Sequence, residues 1–219
     1  MAERVVLLTG ATGKVGQAFM RRFLADGAWK DAQIRALCHN RVVESSDRVQ
    51  VVGGSISDRS VVAEAVEGVS HVVHLATCKE TPDDVMDVAV KGMFWLLEAC
   101  RQSPSFEQFV LIGGDAGMGH FVYPHPVPVV ETQKHSAYEG CYALSKVLEE
   151  VMLEQYYLQY DFNGCCLRAP WIMEKDDFKY TLSFGKDVFD IIEASPERLR
   201  DVTGIGPMRA TKITAGWAD

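Results

Sequence analysis

The chain has 219 residues, 47% hydrophobic and 24% charged, which is enough apolar material for a substantial core and argues against wholesale disorder. At this length one full domain plus a fragment is the natural expectation, and a small disulfide scaffold is excluded. A balance of 22 Lys and Arg against 30 Asp and Glu leaves a formal charge of −8, so nucleic acid is not the default partner without a local basic patch.

The first apolar run, 5–9, reads as a strand and is followed by a helix pattern over 14–26. Further strand candidates lie at 34–38, 49–52, 71–76, 109–112 and 164–168, with helix patterns at 58–67, 83–102 and 138–160. The strand runs are apolar throughout, as befits strands buried on both faces. Alternation of such strands with helices predicts an α/β fold, a doubly wound parallel Rossmann sheet. Residues 85–97 are apolar nearly all round, and 142–157 carries more apolar residues than one sheet-facing stripe requires. The helices over 83–102 and 138–160 are therefore expected to form a homodimer interface, unless later chain covers them. The six cysteines, at 38, 78, 100, 141, 165 and 166, show no C-x-x-C spacing and read as reduced, mostly buried thiols. With no signal-type start and no run of 18 apolar residues, a soluble, cytoplasmic protein without a membrane partner is expected.

Two motifs carry chemistry. Thr9-Gly10-Ala11-Thr12-Gly13-Lys14-Val15-Gly16 joins the first strand to the first helix, where glycines allow a tight turn and let a pyrophosphate approach backbone N–H groups. Tyr142 and Lys146 are spaced i,i+4, on one face of a helix, and can converge on one substrate. A free tyrosine titrates near 10, so acid–base work at pH 7 needs a lowering of about 2–3 units, about 3–4 kcal/mol, which an ammonium and a nicotinamide cation can supply.

On these motifs residues 3–187 resemble the short-chain dehydrogenase/reductase superfamily, specifically its NAD-dependent epimerase/dehydratase (extended) branch. The resemblance implies that Gly10, Thr12, Gly13, Lys14, Val15 and Gly16 hold the cofactor pyrophosphate. It implies that Ser57 and Asp58 meet the adenine, and that the segment His74-Leu75-Ala76-Thr77 lies along the cofactor. Tyr142 would be the acid–base, and Lys146 would bind the nicotinamide ribose. The stretch Leu167-Arg168-Ala169-Pro170 resembles the family's strand toward a substrate lobe.

Three positions depart from the family pattern. After the fifth strand, Gly113-Gly114-Asp115-Ala116-Gly117 holds no Ser or Thr, so Asp115 is the polar side chain able to orient a hydroxyl or act as a base; it could equally cap the turn. The helix asparagine of the family falls on Ala89, in Asp87-Val88-Ala89-Val90-Lys91-Gly92. Where an NAD-preferring site places a carboxylate for the ribose 2′-hydroxyl stands Cys38, followed by His39, Asn40 and Arg41. The cofactor is thus NAD or NADP, with NADP slightly favoured; His39 and Arg41 could also be simply solvated.

His120, His125 and His135 share the 113–137 loop with Pro124, Pro126 and Pro128. Their irregular spacing argues against a metal, and a proline-stiffened loop over a substrate cleft is the better reading. From 188 the pattern changes, and Gly204-Ile205-Gly206 between two short helical patterns resembles a helix–hairpin–helix segment of RecD-type helicases. A net charge of −1 over 188–219 makes DNA binding unlikely there. The expected organisation is an NAD(P)-binding domain over 1–187 with its substrate lobe truncated, then a helical hairpin tail over 188–219.

The leading functional expectation is an NAD(P)-dependent oxidoreductase or epimerase/dehydratase acting on a hydroxyl or keto carbon, with a small-molecule substrate of sugar or sugar-nucleotide type. A catalytically silent NAD(P)-binding regulator is the alternative, and a weak DNA-binding protein the third reading.

Overall fold

A computed structural model describes residues 4–119, 122–125, 127–170 and 172. Six strands form one sheet, β1 Arg4–Thr9, β2 Ala32–Cys38, β3 Val49–Gly53, β4 His71–His74, β5 Gln108–Ile112 and β6 Gly164–Leu167, in the order β3-β2-β1-β4-β5-β6. All five pairings are parallel, with Thr9 of β1 opposite both Leu37 of β2 and His74 of β4. This is the doubly wound order expected. Its direction reverses between β1 and β4, so the loops leaving those two strands part there and open a crevice at their carboxyl ends.

Alternation along β1 divides the core. Val6 and Leu8 face α1, Lys14–Ala25, through Met20 and Phe23; Leu7 faces the opposite layer, with α2, Arg59–Val66, α4, Gly92–Gln102, and α5, Cys141–Tyr160. The second layer holds the larger cluster, including Leu96, Leu97, Phe109, Leu153 and Tyr156.

Several boundaries differ from those the sequence suggests. The strand expected over 71–76 stops at His74, because the N–H groups of Leu75 and Ala76 donate to the Thr9 hydroxyl rather than to a neighbouring strand. The helix expected from 138 begins at Cys141; the Tyr138 N–H donates to Ala116 O at 2.9 Å, and Gly140 has a φ of 118°. Over 83–102 the helix is built of α3, Pro82–Val85, a π-helical stretch Met86–Lys91, and α4. Nor is it buried all round: Val85, Ala89, Met93 and Leu96 are inside, while Met86 and Phe94 are exposed. On α5, Leu144, Val151, Tyr157 and Leu158 are exposed. Of the six free cysteines, Cys38 and Cys100 are buried and the rest are partly exposed, fewer buried thiols than expected.

Among the described residues no helix is long and apolar enough to cross a membrane. The expected hairpin tail over 188–219, the segment 173–187, His120 and Pro126 lie outside the described residues.

Candidate functional site

The crevice is built on the turn after β1. Gly10 takes a φ of 69°, and a Cβ there would lie 2.7 Å from the Leu75 carbonyl carbon, so only glycine lets β1 and the loop after β4 approach. A Cβ on Gly16 would run into the Gly10 carbonyl oxygen, which fixes how closely α1 starts against the turn. Gly13 is the N-cap of α1, in an ordinary extended conformation and without a side-chain cap. The first N–H groups of α1 therefore stand free of a side-chain acceptor from their own cap, the arrangement that attracts an anion.

Thr9 fixes the opposite wall. Its buried hydroxyl accepts from Leu75 N and Ala76 N, both at 3.1 Å, and lies 2.8 Å from His74 Nδ1. With the hydroxyl accepting two bonds, its proton goes to His74 Nδ1, which makes the ring neutral with hydrogen on Nε2. Burial, with Lys146 nearby, pulls the His74 pKa down to about 3, in agreement with that role.

Between these walls runs a cleft of about 380 Å³. Of the residues expected at a cofactor, Gly10, Thr12, Gly13, His39, Asn40, Arg41, Leu75, Ala76 and Thr77 line it. Lys14, Val15 and Gly16 sit on the first turn of α1 behind that lining. Ser57 and Asp58 also lie outside it. Asp58 N-caps α2, accepting from Ser60 N at 2.8 Å and from Ser60 Oγ at 2.7 Å, and these bonds hold its carboxyl below the usual range. Ser57 Oγ pairs with Ser55 Oγ at 2.9 Å. Gly54, Ser55, Ile56, Cys78 and Val88 also line the cleft. Counting turn lengths from the glycines gives no signal that would separate Ser55 from Ser57. No Asp or Glu is among the described lining residues, and Arg41 is the lining side chain with a permanent positive charge. A helix start whose N-cap has no side chain, a glycine cradle that a Cβ would fill and an elongated cleft fit an adenine dinucleotide.

At the carboxyl end of β5 stands the second half of the site. Tyr142 and Lys146 share one face of α5, with Lys146 Nζ 5.8 Å from the Tyr142 ring centroid. Lys146 is buried; its Nζ donates to Ile112 O at 3.4 Å and to Glu149 Oε2 at 2.8 Å. Burial raises the pKa of Glu149, and Lys146 opposes that rise. Glu80 positions the start of this helix from the loop after β4: Oε1 accepts from Cys141 N and, at 3.2 Å, from Tyr142 N. The Cys141 side chain, then the N–H of Tyr142, lower the Glu80 pKa by hydrogen bonding to its carboxylate. Asp115 is half-buried in a short 3₁₀ turn directly after β5, and that turn carries no side-chain cap at its start. Ala89 is fully buried in the π-helical stretch, whose neighbour Val88 lines the cleft.

Glu149 and Glu80 were not among the residues singled out from sequence. Glu149 carried a weak signal, three residues beyond Lys146 on the same helix; Glu80, 62 residues before Tyr142, carried none.

His135 belongs to a different cluster. Glu150 Oε2 accepts from Arg168 Nε at 2.8 Å and lies 2.8 Å from His135 Nε2, while Arg168 also donates to the carbonyls of Glu131 and Gln133. Cys166 is partly buried beside Glu150, and that desolvation, with the Glu150 charge, pushes its thiol up to about 12. This cluster ties the loop before α5 to the residue after β6. No group of three or more His, Cys, Asp or Glu that could hold a metal occurs among the described residues.

A family model described as the NAD dependent epimerase/dehydratase family matches residues 6–173. A ketoreductase of Cercospora nicotianae is 30% identical over 166 residues, 65% of this chain and 46% of that protein. An NAD-dependent glucose-6-phosphate dehydrogenase of Haloferax volcanii is 23% identical over 245 aligned positions, 94% of this chain and 93% of that protein. The solved UDP-glucose 4-epimerase of Thermus thermophilus in complex with NAD superposes with a TM-score of 0.62 at 23% identity, over 75% of this chain and 54% of that one. The chain thus spans about half the length of the ketoreductase and nearly all of the dehydrogenase.

Proposed function

We propose that this chain, which belongs to the NAD-dependent epimerase/dehydratase family, is an NAD(P)-dependent oxidoreductase or epimerase/dehydratase acting on a hydroxyl or keto carbon of a sugar or sugar nucleotide. One observation carries the reading: the glycine cradle and the Tyr142–Lys146 face open at the carboxyl ends of β1 and β5, the two strands that flank β4 in one sheet. The named sugar substrates of the dehydrogenase and the epimerase support the substrate class.

When bound, the nicotinamide donates or accepts the hydride. The N–H groups at the start of α1 bind the pyrophosphate, and Leu75, Ala76 and Thr77 line its course. Arg41, in a lining without a carboxylate, accommodates a 2′-phosphate, so NADP is accepted at least as well as NAD. Tyr142 holds the exchanging proton at its hydroxyl, and Lys146 orients the ribose and biases that proton. Asp115 orients the substrate hydroxyl in place of the missing Ser or Thr. The exposed apolar side chains of Leu144, Val151 and Leu158, spaced by seven on α5, support a homodimer through that face.

A silent NAD(P)-binding regulator is the second reading. It is favoured by Gly113-Gly114 where a hydroxyl residue belongs and by Ala89. Turnover separates the two. With reduced or oxidised cofactor and a panel of sugar nucleotides and monosaccharide lactones, the chain converts a member of the panel, with a net change in the cofactor's oxidation state for an oxidoreductase and none for an epimerase or dehydratase, and Tyr142→Phe slows the conversion by about 10²-fold. Cofactor binding without conversion of any member of the panel favours the regulator.

A further inference from the structure

Glu149 has no part in the chemistry just described, yet it is among the most deeply buried side chains of the molecule. It lies one helical turn beyond Lys146, with Oε2 2.8 Å from Nζ, and its Oε1 has no hydrogen-bond partner. Two opposite charges removed from water persist as a pair, because each alone would face the full desolvation cost. The ammonium would otherwise act undiminished on Tyr142, whose ring centre is 5.8 Å away.

We propose that Glu149 is a positioning residue that sets how much of the Lys146 charge reaches Tyr142, and thereby the pH range in which Tyr142 releases its proton. The proposal rests on Tyr142 being the acid–base of the site. Among the described residues, Glu80 is engaged by the N–H groups of Cys141 and Tyr142, and the other groups around the pair are paired or neutral. Glu150, next along the helix, is held by Arg168 and His135. His74, at the end of β4, is neutral, and the Cys166 thiol on β6 stays protonated. The remaining acceptor of Nζ is the Ile112 carbonyl, which carries no net charge. Glu149 also takes up a proton more readily than a surface carboxylate, since burial and the neighbouring Glu150 both favour its neutral form. As pH falls through that uptake, the lysine charge becomes unopposed.

Coulomb's law at an effective dielectric of about 20 makes a full charge at this range worth about two units of ionisation, so removing the counter-charge is expected to move Tyr142 by about one unit or more. Glu149→Gln keeps the shape and a hydrogen bond to Nζ while removing the charge. The readout is tyrosinate absorbance against pH in the unliganded chain, with the Tyr142 contribution isolated by subtracting the same titration in a matching Tyr142→Phe variant. In Glu149→Gln the midpoint falls by about one unit, a tenfold change in ionisation constant. A purely structural Glu149 would alter thermal stability and leave that midpoint in place, which overturns the proposal. Should the buried lysine prevent the single variant from folding, Lys146→Met combined with Glu149→Gln removes both charges. The proposal then expects a midpoint about one unit above that of the unaltered protein, and a rise of about two units overturns it, because the lysine would have been acting undiminished. If instead Tyr142→Phe retains full turnover, the acid–base assignment fails, while the titrations still report on Glu149.

Discussion

Replacing Gly13 by valine separates cofactor binding from folding. Gly13 has a φ of −78° and a ψ of 166°, which any residue adopts, and a Cβ there meets only the Gly10 carbonyl oxygen, at 3.3 Å. Loss of a glycine N-cap in favour of a β-branched residue, with that one tight contact, is expected to cost about 1 kcal/mol of stability. The same side chain, however, stands at the start of α1 and at the cleft, where the pyrophosphate must reach the backbone. Excluding it removes several charge-assisted hydrogen bonds of about 1.5–3 kcal/mol each, so affinity falls at least about 100-fold. Gly16→Val gives the contrast: its Cβ strikes backbone of the turn itself, and the chain is expected to lose folded stability outright. Titration calorimetry with NAD and NADP, beside urea unfolding of both variants, reads the two effects. A folded Gly13→Val chain with unchanged affinity for both dinucleotides would refute the placement of the pyrophosphate.

Two further outcomes follow from the same geometry. Arg41→Ala is expected to weaken NADP about tenfold while leaving NAD nearly unchanged, measured by competition titration; equal losses would remove Arg41 from the 2′-phosphate. It is a cleaner test than an Asp at Cys38, which is buried, so that the new carboxylate would have to be desolvated. The second concerns His74, which has its pKa lowered from 6.5 to about 3 in the folded chain. The unfolded chain takes up that proton first, so the stability due to a neutral His74 is complete above pH 6.5 and is lost as pH falls toward 3, by up to about 4–5 kcal/mol. Urea unfolding at pH 7 and pH 4 should show a larger loss for the unaltered chain than for His74→Gln, and equal losses would contradict the assignment.

The parts of the fold legible in the sequence are those fixed by local sterics or by burial on both faces. Gly10 and Gly16 could be read because only a missing Cβ admits the Leu75 backbone and the Gly10 carbonyl, and the apolar run 5–9 because a central parallel strand needs no polar face. The end of β4 was not legible, since it depends on a hydroxyl 66 residues earlier taking the N–H of Leu75. Ser55 and Ile56 at the cleft were not singled out either, since the course of the chain after β3 brings them there, while Asp58 caps α2 through a bond to Ser60 two residues on. The partner of Lys146 was within reach of helix periodicity alone. Glu80 was not, because its bonds to the start of α5 join segments that sequence order keeps far apart.

A crystal structure of the chain with NADP tests the central claim most directly. A single dinucleotide is expected, its pyrophosphate accepting from the backbone N–H groups at the start of α1, with its 2′-phosphate beside Arg41 and its nicotinamide ribose between Tyr142 and Lys146. A dinucleotide bound away from the glycine turn, or one whose nicotinamide half points away from Tyr142 and Lys146, would contradict it.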